Sequence, residues 1–472
     1  MNLPLIHSFK DFDRYYVFDA NSNSIFAITE REWQIANDIE RGVITEEGEV
    51  LIDKFRKRNL FNTPIINKIK HPETDALPYH LGRKIQKLTL QVTQECNLRC
   101  DYCVYSGSYR SRSHSQKRMS LEVAKKAIDY VFEHSVDEEF INIGFYGGEP
   151  LLELPLIEAC ILHAHTICGD KNVSFSLTTN GTLLTVETYE RLVKHNGMHI
   201  SVSLDGPKRV HDKSRKYTDG RGSFDDIMKN LHDIYIKHPE AKEKINFLAV
   251  ISPNLDKSCY EPLYQMEDIL PYFGVNISYV DTIYSESVIE YKEEFSSYYV
   301  QEQTKVILYM LGKIDKRKVS RLLYDSFNNT LLKYERLRQI KEIPEVCHPG
   351  GPCIAGVHRL FLSADGVYYP CERVSEISEP MKIGNINEGI DVEKANVILN
   401  IGILTEAECK KCWAILHCTM CAAHADELTF LSREKRLSGC DAVKAQVEDI
   451  FKDICFLKFM GFDFDAKTEE VE

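Results

Sequence analysis

The chain has 472 residues and a formal net charge of −13; 43% of its residues are apolar and 27% are charged. This composition is typical of a globular protein with a large core, and the length predicts about two to four domains. The excess of acidic residues argues against binding to a phosphate backbone, so we expect no nucleic-acid partner. The sequence has no signal-like N terminus and no long apolar run, which predicts a cytoplasmic protein without a membrane partner.

The first 84 residues are predicted to form a small α+β module. Two short segments alternate like strands, Tyr15–Phe18 and Ser24–Ala27. Helical patterns follow, beginning at Thr29 and at Glu46. The polar, proline-containing run 71–78 indicates a linker to the next region.

Strands and helices then alternate over residues 85–300. The predicted strands are Leu88–Val92, Phe140–Phe145, Val173–Leu177, Met198–Leu204, Lys244–Ile251 and Val275–Val280. The predicted helices are Ser120–His134 with Ser120 as N-cap, Leu154–Cys168, Val186–His195, Phe224–His238 and one after Asp256. Six βα units in series predict an α/β fold, either a parallel sheet or a partial (β/α)6 barrel, with ligands at the carboxyl ends of the strands.

The remainder of the chain divides into two predicted regions. Residues 301–345 are expected to form a helical bridge, and residues 346–472 a Cys-rich domain with one helix near Asp441–Met460. Because loops this rich in Cys and Gly bury little apolar surface, metal is expected to supply much of the order of this last domain.

The fifteen cysteines are unevenly placed along these regions. Three fall within Cys96–Cys103 and eight within Cys347–Cys440. The other four are scattered, as buried structural cysteines are: Cys160, Cys168, Cys259 and Cys455. Since disulfides are rare in a reducing cytosol, the clustered thiols indicate metal binding.

The first cysteine group follows the first barrel strand directly, as Cys96-x3-Cys100-x2-Cys103. A structural zinc site would need a fourth ligand, so a loose zinc loop is one interpretation. A four-iron cluster normally takes four thiolates, and three would leave one iron open to an outside ligand. Three unrelated thiols are a further interpretation, and the spacing alone does not decide. The position after a strand, together with the motifs at later strand ends, favours the iron–sulfur interpretation.

This loop resembles that of the radical S-adenosylmethionine (SAM) superfamily. The resemblance implies that SAM chelates the open iron and that its cleavage yields a 5'-deoxyadenosyl radical. It also implies that Tyr102 packs near the adenine and that Gly147, Gly148 and Glu149, in a Gly-Gly-Glu-Pro motif, hold the SAM amino group. Without the resemblance, that motif would be an ordinary turn.

Two further strand ends resemble the same superfamily. Asn180 lies in a Thr-Asn-Gly sequence after the third strand, and Ser203 closes the fourth. The resemblance implies SAM contacts for both, a supporting role for Asp205, and pairing of Arg215 with the SAM carboxylate. A solvated surface arginine is the alternative for Arg215.

The C-terminal cysteines could fill two zinc sites or two four-iron clusters, and their spacing does not decide between them. The pattern resembles the SPASM domain, which carries two auxiliary [4Fe–4S] clusters, although the gap before Cys421 is one residue short. The resemblance implies a first auxiliary set of ligands, Cys347, Cys353, Cys371 and Cys421. It implies a second auxiliary set, Cys409, Cys412, Cys418 and Cys440. The expected cofactors are therefore SAM and three [4Fe–4S] clusters.

SPASM-type enzymes mostly modify peptides, and two branches compete here. The leading module resembles precursor-recognition domains that bind a leader peptide as an added strand. The run Cys103–His114 resembles maturases that join a Cys sulfur to a carbon of a ribosomally made peptide. Sulfatase maturases, which make formylglycine, typically have Asp at the position of Glu372.

The resemblance therefore implies a thioether-forming peptide maturase. Its partners would be a Cys-containing precursor peptide with a leader and an electron donor of the flavodoxin or ferredoxin type. Glu372 is the candidate catalytic base, or else a hydrogen-bond partner behind a cluster ligand. Formylglycine formation is one alternative, and a zinc-stabilised peptide-binding module without catalysis is the other.

Overall fold

The structure is a computed structural model that describes residues 3–106, 108–251, 274–286, 293–315, 318–320, 323, 326–340, 342–350 and 353–465. Strands are numbered below in chain order. The predicted helix after Asp256 and the scattered Cys259 lie outside the described residues. No helix in the described ranges is both long enough and apolar enough to cross a bilayer.

The N-terminal module is a three-stranded antiparallel sheet followed by two helices. The sheet has the order β1 (Ile6–Asp11), β2 (Arg14–Asp19), β3 (Ser24–Ile28). The helices are Glu30–Glu40, which begins with a capping box, and Glu46–Arg56. The two predicted strands and both helices are confirmed, while β1 was not predicted.

A parallel sheet of six strands forms the centre of the molecule. Its strands are β5 (Lys87–Thr93), β6 (Phe140–Gly147), β7 (Asn172–Thr179), β8 (Met198–Ser203), β9 (Ile245–Ile251) and β10 (Gly274–Tyr279), adjacent in that order. Helices between the strands are Leu121–Glu133, Leu154–Ile167, Val186–Val193, Lys208–Ser214 and Phe224–Lys237. The predicted α/β fold with its six parallel strands is confirmed, and helix Lys208–Ser214 is an addition to the prediction.

The C-terminal region extends the same sheet. Strand β12 (Leu360–Leu362) lies parallel to β5 on its free edge. Short antiparallel strands continue outward: β13 (Val367–Tyr369), β14 (Gly384–Asn385) and β15 (Gly389–Ile390). A small separate sheet pairs β4 (Lys68–Ile69) with β11 (Val346–Cys347). The boundaries at 84, 300 and 345 remain predictions, but residues on both sides of them share hydrogen-bonded sheets.

The remaining helices lie around the bridge and the Cys-rich region. They are Leu77–Arg83, Glu293–Met310, Ser326–Gln339, Val392–Leu399, Glu406–Cys409, Arg433–Ser438 and Cys440–Phe459. The predicted helix near Asp441–Met460 is thereby confirmed. Helix Leu77–Arg83 begins inside the run that was predicted to be a linker.

The two faces of the central sheet differ in chemistry. In β5 the side chains of Leu88, Leu90 and Val92 belong to the main core on the outer face. Lys87, Thr89, Gln91 and Thr93 alternate with them and occupy the opposite, inner face. The inner face is polar on neighbouring strands as well: Asn142 of β6 donates to Ser174 of β7 at 2.9 Å. The inner face of the sheet therefore carries polar side chains, whereas the outer face carries the main apolar core.

The N-terminal module packs against the Cys-rich region. His7 stacks on Trp413 with ring centroids 4.0 Å apart, and Phe18 contacts Trp413 and Phe451 in the same apolar cluster. A buried hydrogen bond of 2.8 Å joins Asn23 to His417. The module is therefore part of the packed structure and sits next to the loop that carries the second auxiliary set.

Candidate functional site

The loop Cys96–Cys103 lies at the carboxyl end of β5. The backbone of this loop is hydrogen-bonded to the end of the helix Lys208–Ser214, which follows β8. Arg99 N donates to Lys216 O at 2.7 Å, and Asp101 N donates to Ser214 O at 3.2 Å. Burial raises the pKa of Cys96 to about 11 and that of Cys100 to about 12, and it raises the pKa of Cys103. Without a metal, these three thiols would stay protonated at neutral pH.

A cavity of about 430 Å³ opens beside the cysteine loop. Its lining includes Cys100, Tyr105, Ser106 and His114. The hydroxyl oxygen of Ser106 is buried and has no hydrogen-bond partner among the described residues. A polar atom in this condition beside a cavity indicates space for a polar ligand.

Asn180 connects the cysteine loop to the end of β7. Its Nδ2 donates to Asn97 Oδ1 at 2.8 Å and lies 3.8 Å from Cys96 Sγ, and its Oδ1 accepts from Thr182 N at 3.0 Å. Asn97 in turn donates to Thr182 Oγ1 at 2.8 Å. Asn180 thus positions the first cysteine; its predicted contact with SAM remains a prediction.

Gly147 and Gly148 allow the end of β6 to approach β5 and the cysteine loop very closely. A Cβ atom on Gly147 would lie 2.0 Å from Thr93 O, and one on Gly148 would lie 2.1 Å from Glu95 O. Gly147 also has a φ of +144°, which a residue with a side chain rarely adopts. Both glycines are therefore required by the backbone contact next to Cys96.

Glu149 is fully buried, and its carboxylate holds the loop together. One oxygen accepts from Thr179 Oγ1 at 2.7 Å and from Leu151 N at 3.0 Å, while the other accepts from Asn180 N at 2.7 Å. Burial raises its pKa in spite of these three donors. The carboxylate thus joins the ends of β6 and β7; its contact with a SAM ammonium stays a prediction.

Arg215 and Tyr102 meet at Asp205 in a buried cluster. Arg215 Nε donates to Asp205 Oδ2 at 2.8 Å, the Tyr102 hydroxyl bonds to the same oxygen, and the guanidinium lies 5.3 Å from the Tyr102 ring centroid. Val250 N donates to the other carboxylate oxygen at 3.0 Å. Asp205 therefore orients Arg215 and Tyr102, the two side chains that are predicted to contact SAM. Ser203 ends β8 beside this cluster and is buried.

His211 is a neutral, buried side chain that packs against the Asp205 cluster. Its Nδ1 accepts from Asp205 N at 3.3 Å, and its Nε2 lies 3.0 Å from Ser223 Oγ, which donates to Arg215 O at 2.9 Å. Burial lowers its pKa to about 4. The neutral tautomer with the proton on Nε2 satisfies all three contacts.

A second buried cluster, which the sequence analysis does not predict, lies on the inner face of the sheet around Arg112. This guanidinium forms an ion pair of 2.6 Å with Glu376, donates to the backbone oxygens of Glu372 and Val374, and lies over the rings of Tyr105, Tyr146 and Phe361. Gln91 donates to Glu376 Oε1 at 2.6 Å and to the Tyr105 hydroxyl at 2.8 Å. The polar alternation of β5 was the available signal for a polar inner face, but nothing in it pointed to the distant partner Glu376.

Arg112 fixes the segment that follows Cys371. Glu372 pairs with Arg359 at 3.0 Å through Oε1, while its Oε2 is buried without a hydrogen-bond partner among the described residues. Burial raises the pKa of Cys371 to about 12, with Glu372 adding to the rise. The candidate base therefore lies between a first-auxiliary-set cysteine and the inner face of the sheet, with one acceptor oxygen unused.

The C-terminal cysteines gather in two groups. Electrostatic effects on their pKa values link Cys421 with Cys353 and Cys371. They also link the members of the second auxiliary set: Cys409, Cys412, Cys418 and Cys440. For Cys347, predicted for the first set, the effect comes instead from Cys409 of the second set. Its assignment to the first auxiliary set stays a prediction.

The donor chemistry at all three places fits iron–sulfur clusters. Most of the eleven thiols are buried or half-buried, and burial raises the pKa of nine of them, so a metal is needed to hold them as thiolates. Within the described ranges, no three Cys, His, Asp or Glu side chains converge as the ligands of a single ion do. The thiolates of a four-iron cluster are held by different irons and surround the whole cluster.

Part of the chain is similar in sequence to known proteins. Residues 90–248 match the family model described as the Radical SAM superfamily. A cysteine-type anaerobic sulfatase-maturating enzyme of Clostridium novyi is 25% identical over 358 residues, which cover 70% of this chain and 85% of the relative. The radical SAM cyclopropyl synthase TigE of Paramaledivibacter caminithermalis is 29% identical over 222 residues, covering 44% of this chain and 41% of the relative.

The fold also matches a solved structure. Native anSMEcpe with bound AdoMet and Cp18Cys peptide superposes with a TM-score of 0.57 at 21% identity, covering 79% of this chain and 99% of that one. This likeness concerns the fold, which is the parallel-strand architecture described above. The chain therefore contains a radical SAM domain, and its homologues include anaerobic sulfatase-maturating enzymes and other radical SAM enzymes.

Proposed function

We propose that this protein is a radical SAM peptide maturase that joins a Cys sulfur to a carbon of a ribosomally made precursor peptide. The observation that carries the proposal is the half-buried three-thiol loop at the carboxyl end of β5, which Asn97 and Asn180 hold against the neighbouring strand end. Cys96, Cys100 and Cys103 would hold a four-iron cluster and leave one iron for SAM. When bound, the two groups would supply a carbon radical that takes a hydrogen atom from the substrate.

The protein's own residues would fix SAM against this loop. Gly147 and Gly148 bring their backbone next to Cys96, where loop carbonyls can accept from an ammonium group. Arg215, held by Asp205, supplies the cation for a carboxylate. Tyr102 and Ser203 lie beside this pair and complete the proposed contacts.

The substrate would lie along the polar inner face between the cysteine loop and Cys371. Joining sulfur to carbon removes two hydrogens from the peptide: one leaves as an atom, and the thiol releases a proton and an electron. Glu372 is the proposed proton acceptor because its Oε2 is buried and unused. The auxiliary sets, ligating two [4Fe–4S] clusters, would receive the electron, and a flavodoxin- or ferredoxin-type protein would reduce the first cluster.

The N-terminal module supports a peptide with a leader. Strand β3 is an outer strand of its sheet, and its backbone groups on the free side are available for an added strand. The alignment with anSMEcpe covers 99% of that chain but only 79% of this one, so this protein has residues without a counterpart there.

The test uses anaerobically reconstituted protein with SAM, a strong reductant and a Cys-bearing precursor peptide. We expect 5'-deoxyadenosine, together with a peptide that has lost two hydrogens and retained its sulfur. The matched control is Cys100→Ser, which should abolish both products. Protein that holds iron on the first loop but never cleaves SAM would refute the proposal.

Formylglycine formation is the second candidate, because a cysteine-type sulfatase-maturating enzyme covers 70% of this chain. It would convert a Cys of a sulfatase peptide into an aldehyde with loss of the sulfur. The same mass measurement separates the two reactions, since the thioether retains sulfur. A protein that contains zinc and no iron, and that binds peptide without chemistry, would favour a binding module instead.

A further inference from the structure

Arg436 is a buried cation in the middle of the Cys-rich region. Arg436 lies on the helix Arg433–Ser438, and only 1% of its surface is exposed. Nη1 donates to Cys421 O at 3.2 Å and Nη2 donates to Met420 O at 3.3 Å, while Nε is buried without a hydrogen-bond partner among the described residues. Two carbonyls satisfy part of its hydrogen bonding, but they do not neutralise its charge.

No carboxylate in the described part of the chain forms an ion pair with this guanidinium. By contrast, Arg433, one turn earlier on the same helix, is exposed and pairs with Glu408 and Glu434. A charge that is buried without a counter-charge is strongly unfavourable, so such sites normally contain a compensating anion. The structure therefore needs a negative group near Arg436 that no Asp or Glu provides.

Arg436 lies between cysteines of the two auxiliary sets. Its guanidinium donates to the backbone oxygen of Cys421, and its own carbonyl oxygen accepts at 3.3 Å from the N–H of Gly439, the residue before Cys440. Cys421 belongs to the first auxiliary set, whereas Cys440 belongs to the second. Neutral thiols would leave the cation uncompensated, but thiolates bound to iron–sulfur clusters carry the missing negative charge.

We propose that Arg436 is the shared counter-charge of two iron–sulfur clusters, one at each auxiliary set, and that it raises the reduction potential of both. The inference rests on the proposed function, because it requires clusters at these cysteines. A fixed positive charge stabilises the reduced form of a cluster, which is the more negative one. Arg436 would thus make both clusters better acceptors for the electron that leaves the peptide.

The experiment compares full-length wild type with Arg436→Gln and Arg436→Lys, all reconstituted anaerobically. Arg433→Gln is the matched control, since it removes an exposed arginine from the same helix. Iron and sulfide per chain are measured first, and each cluster is then titrated with a reductant while its electron paramagnetic resonance signal is followed. The cluster on the Cys96–Cys103 loop serves as an internal reference.

For Arg436→Gln we expect at least a tenfold smaller equilibrium constant for reduction of both auxiliary clusters, which is about 59 mV for a one-electron step. Arg436→Lys and Arg433→Gln should stay close to wild type, and the reference cluster should not move. If Arg436→Gln loses the C-terminal iron while Arg436→Lys retains it, the requirement for a charge is supported as well.

Two results would overturn the inference. One is that Arg436→Gln leaves the reduction potentials of both auxiliary clusters unchanged. The other is that Arg436→Lys and Arg436→Gln change the potentials or the iron content equally, which would mean that the shape of the side chain matters and its charge does not. A wild-type protein with iron on the first loop alone would instead refute the two auxiliary clusters of the proposed function. The iron count of the wild type therefore separates the two failures.

Discussion

Substitution of Gly148 by alanine should disable the site without removing any functional side chain. The new Cβ would lie 2.1 Å from Glu95 O and 2.5 Å from Glu95 C, and real contacts of this kind are essentially never shorter than 3.0 Å. Relief of the clash requires the backbone just before Cys96 to move by about 0.9 Å, the difference between 3.0 and 2.1 Å. Both contacting atoms are backbone atoms, so no flexible side chain can rotate away.

This displacement has two expected costs. Overpacking of this size destabilises the fold by about 1–3 kcal/mol. A misplacement of about 1 Å next to a reacting group lowers the rate by about a hundredfold. We therefore expect Gly148→Ala to cleave SAM about a hundred times more slowly, even when the protein is fully loaded with iron.

The assay measures 5'-deoxyadenosine formation together with iron per chain and the free energy of unfolding. Gly82→Ala is the control, because a Cβ at position 82 meets nothing within 4 Å. If the rate of Gly148→Ala stays within twofold of that of Gly82→Ala, the close approach of the two loops does not control the site.

Three other perturbations test the packing around the site. Asp205→Asn leaves the buried Arg215 unpaired and should lower the free energy of unfolding, measured by chemical denaturation, by about 3–5 kcal/mol. The control is Asp225→Asn, which removes the exposed ion pair with Lys208 and should lower it by less than about 1 kcal/mol. Equal losses would contradict the role of Asp205. Burial lowers the pKa of His211 to about 4, so its stabilising effect is complete above its unfolded pKa and is lost as the pH falls from about 6.5 towards 4. Unfolding free energies measured over this window should fall less steeply in His211→Gln, and identical slopes would refute the assignment. Asn23→Ala removes the buried contact to His417 and two bonds to backbone oxygens, and it should destabilise the protein by about 1–3 kcal/mol. Asn59→Ala, at an exposed residue with a similar positive φ, has only the backbone cost of the substitution and should destabilise the protein less; equal costs would contradict the role of the buried contacts.

The sequence predicted the parts of the fold that depend on local pattern. The strands from β5 to β10 have alternating or continuous apolar residues between clear turn signals. The helices after Ser120 and Thr29 begin at side-chain caps, so the sequence pattern predicts where these elements lie. Strand β12 has three residues and helix Lys208–Ser214 has seven, and neither has a periodic pattern. Pairing with β5 holds β12 in place, and the hydrogen bonds of His211 hold the helix. Such tertiary contacts cannot be predicted from the local sequence.

The candidate site divides in the same way. Cys96, Gly148 and Asn180 follow strand ends, so the parallel sheet alone brings them together. Arg112 and Glu376 are 264 positions apart in the chain, and their ion pair depends on β12 joining the sheet beside β5. No pattern in one sequence links two such residues.

The junction of β12 with β5 has a consequence for how the protein can be divided. If residues beyond 345 were removed, β5 would lose its parallel neighbour, and its backbone amides and carbonyls would face solvent beside the cysteine loop. Bare strand edges recruit other chains, so such a fragment would be prone to self-association. We therefore expect the six-stranded parallel sheet and the Cys-rich region to fold cooperatively, so that neither would be stable when expressed alone.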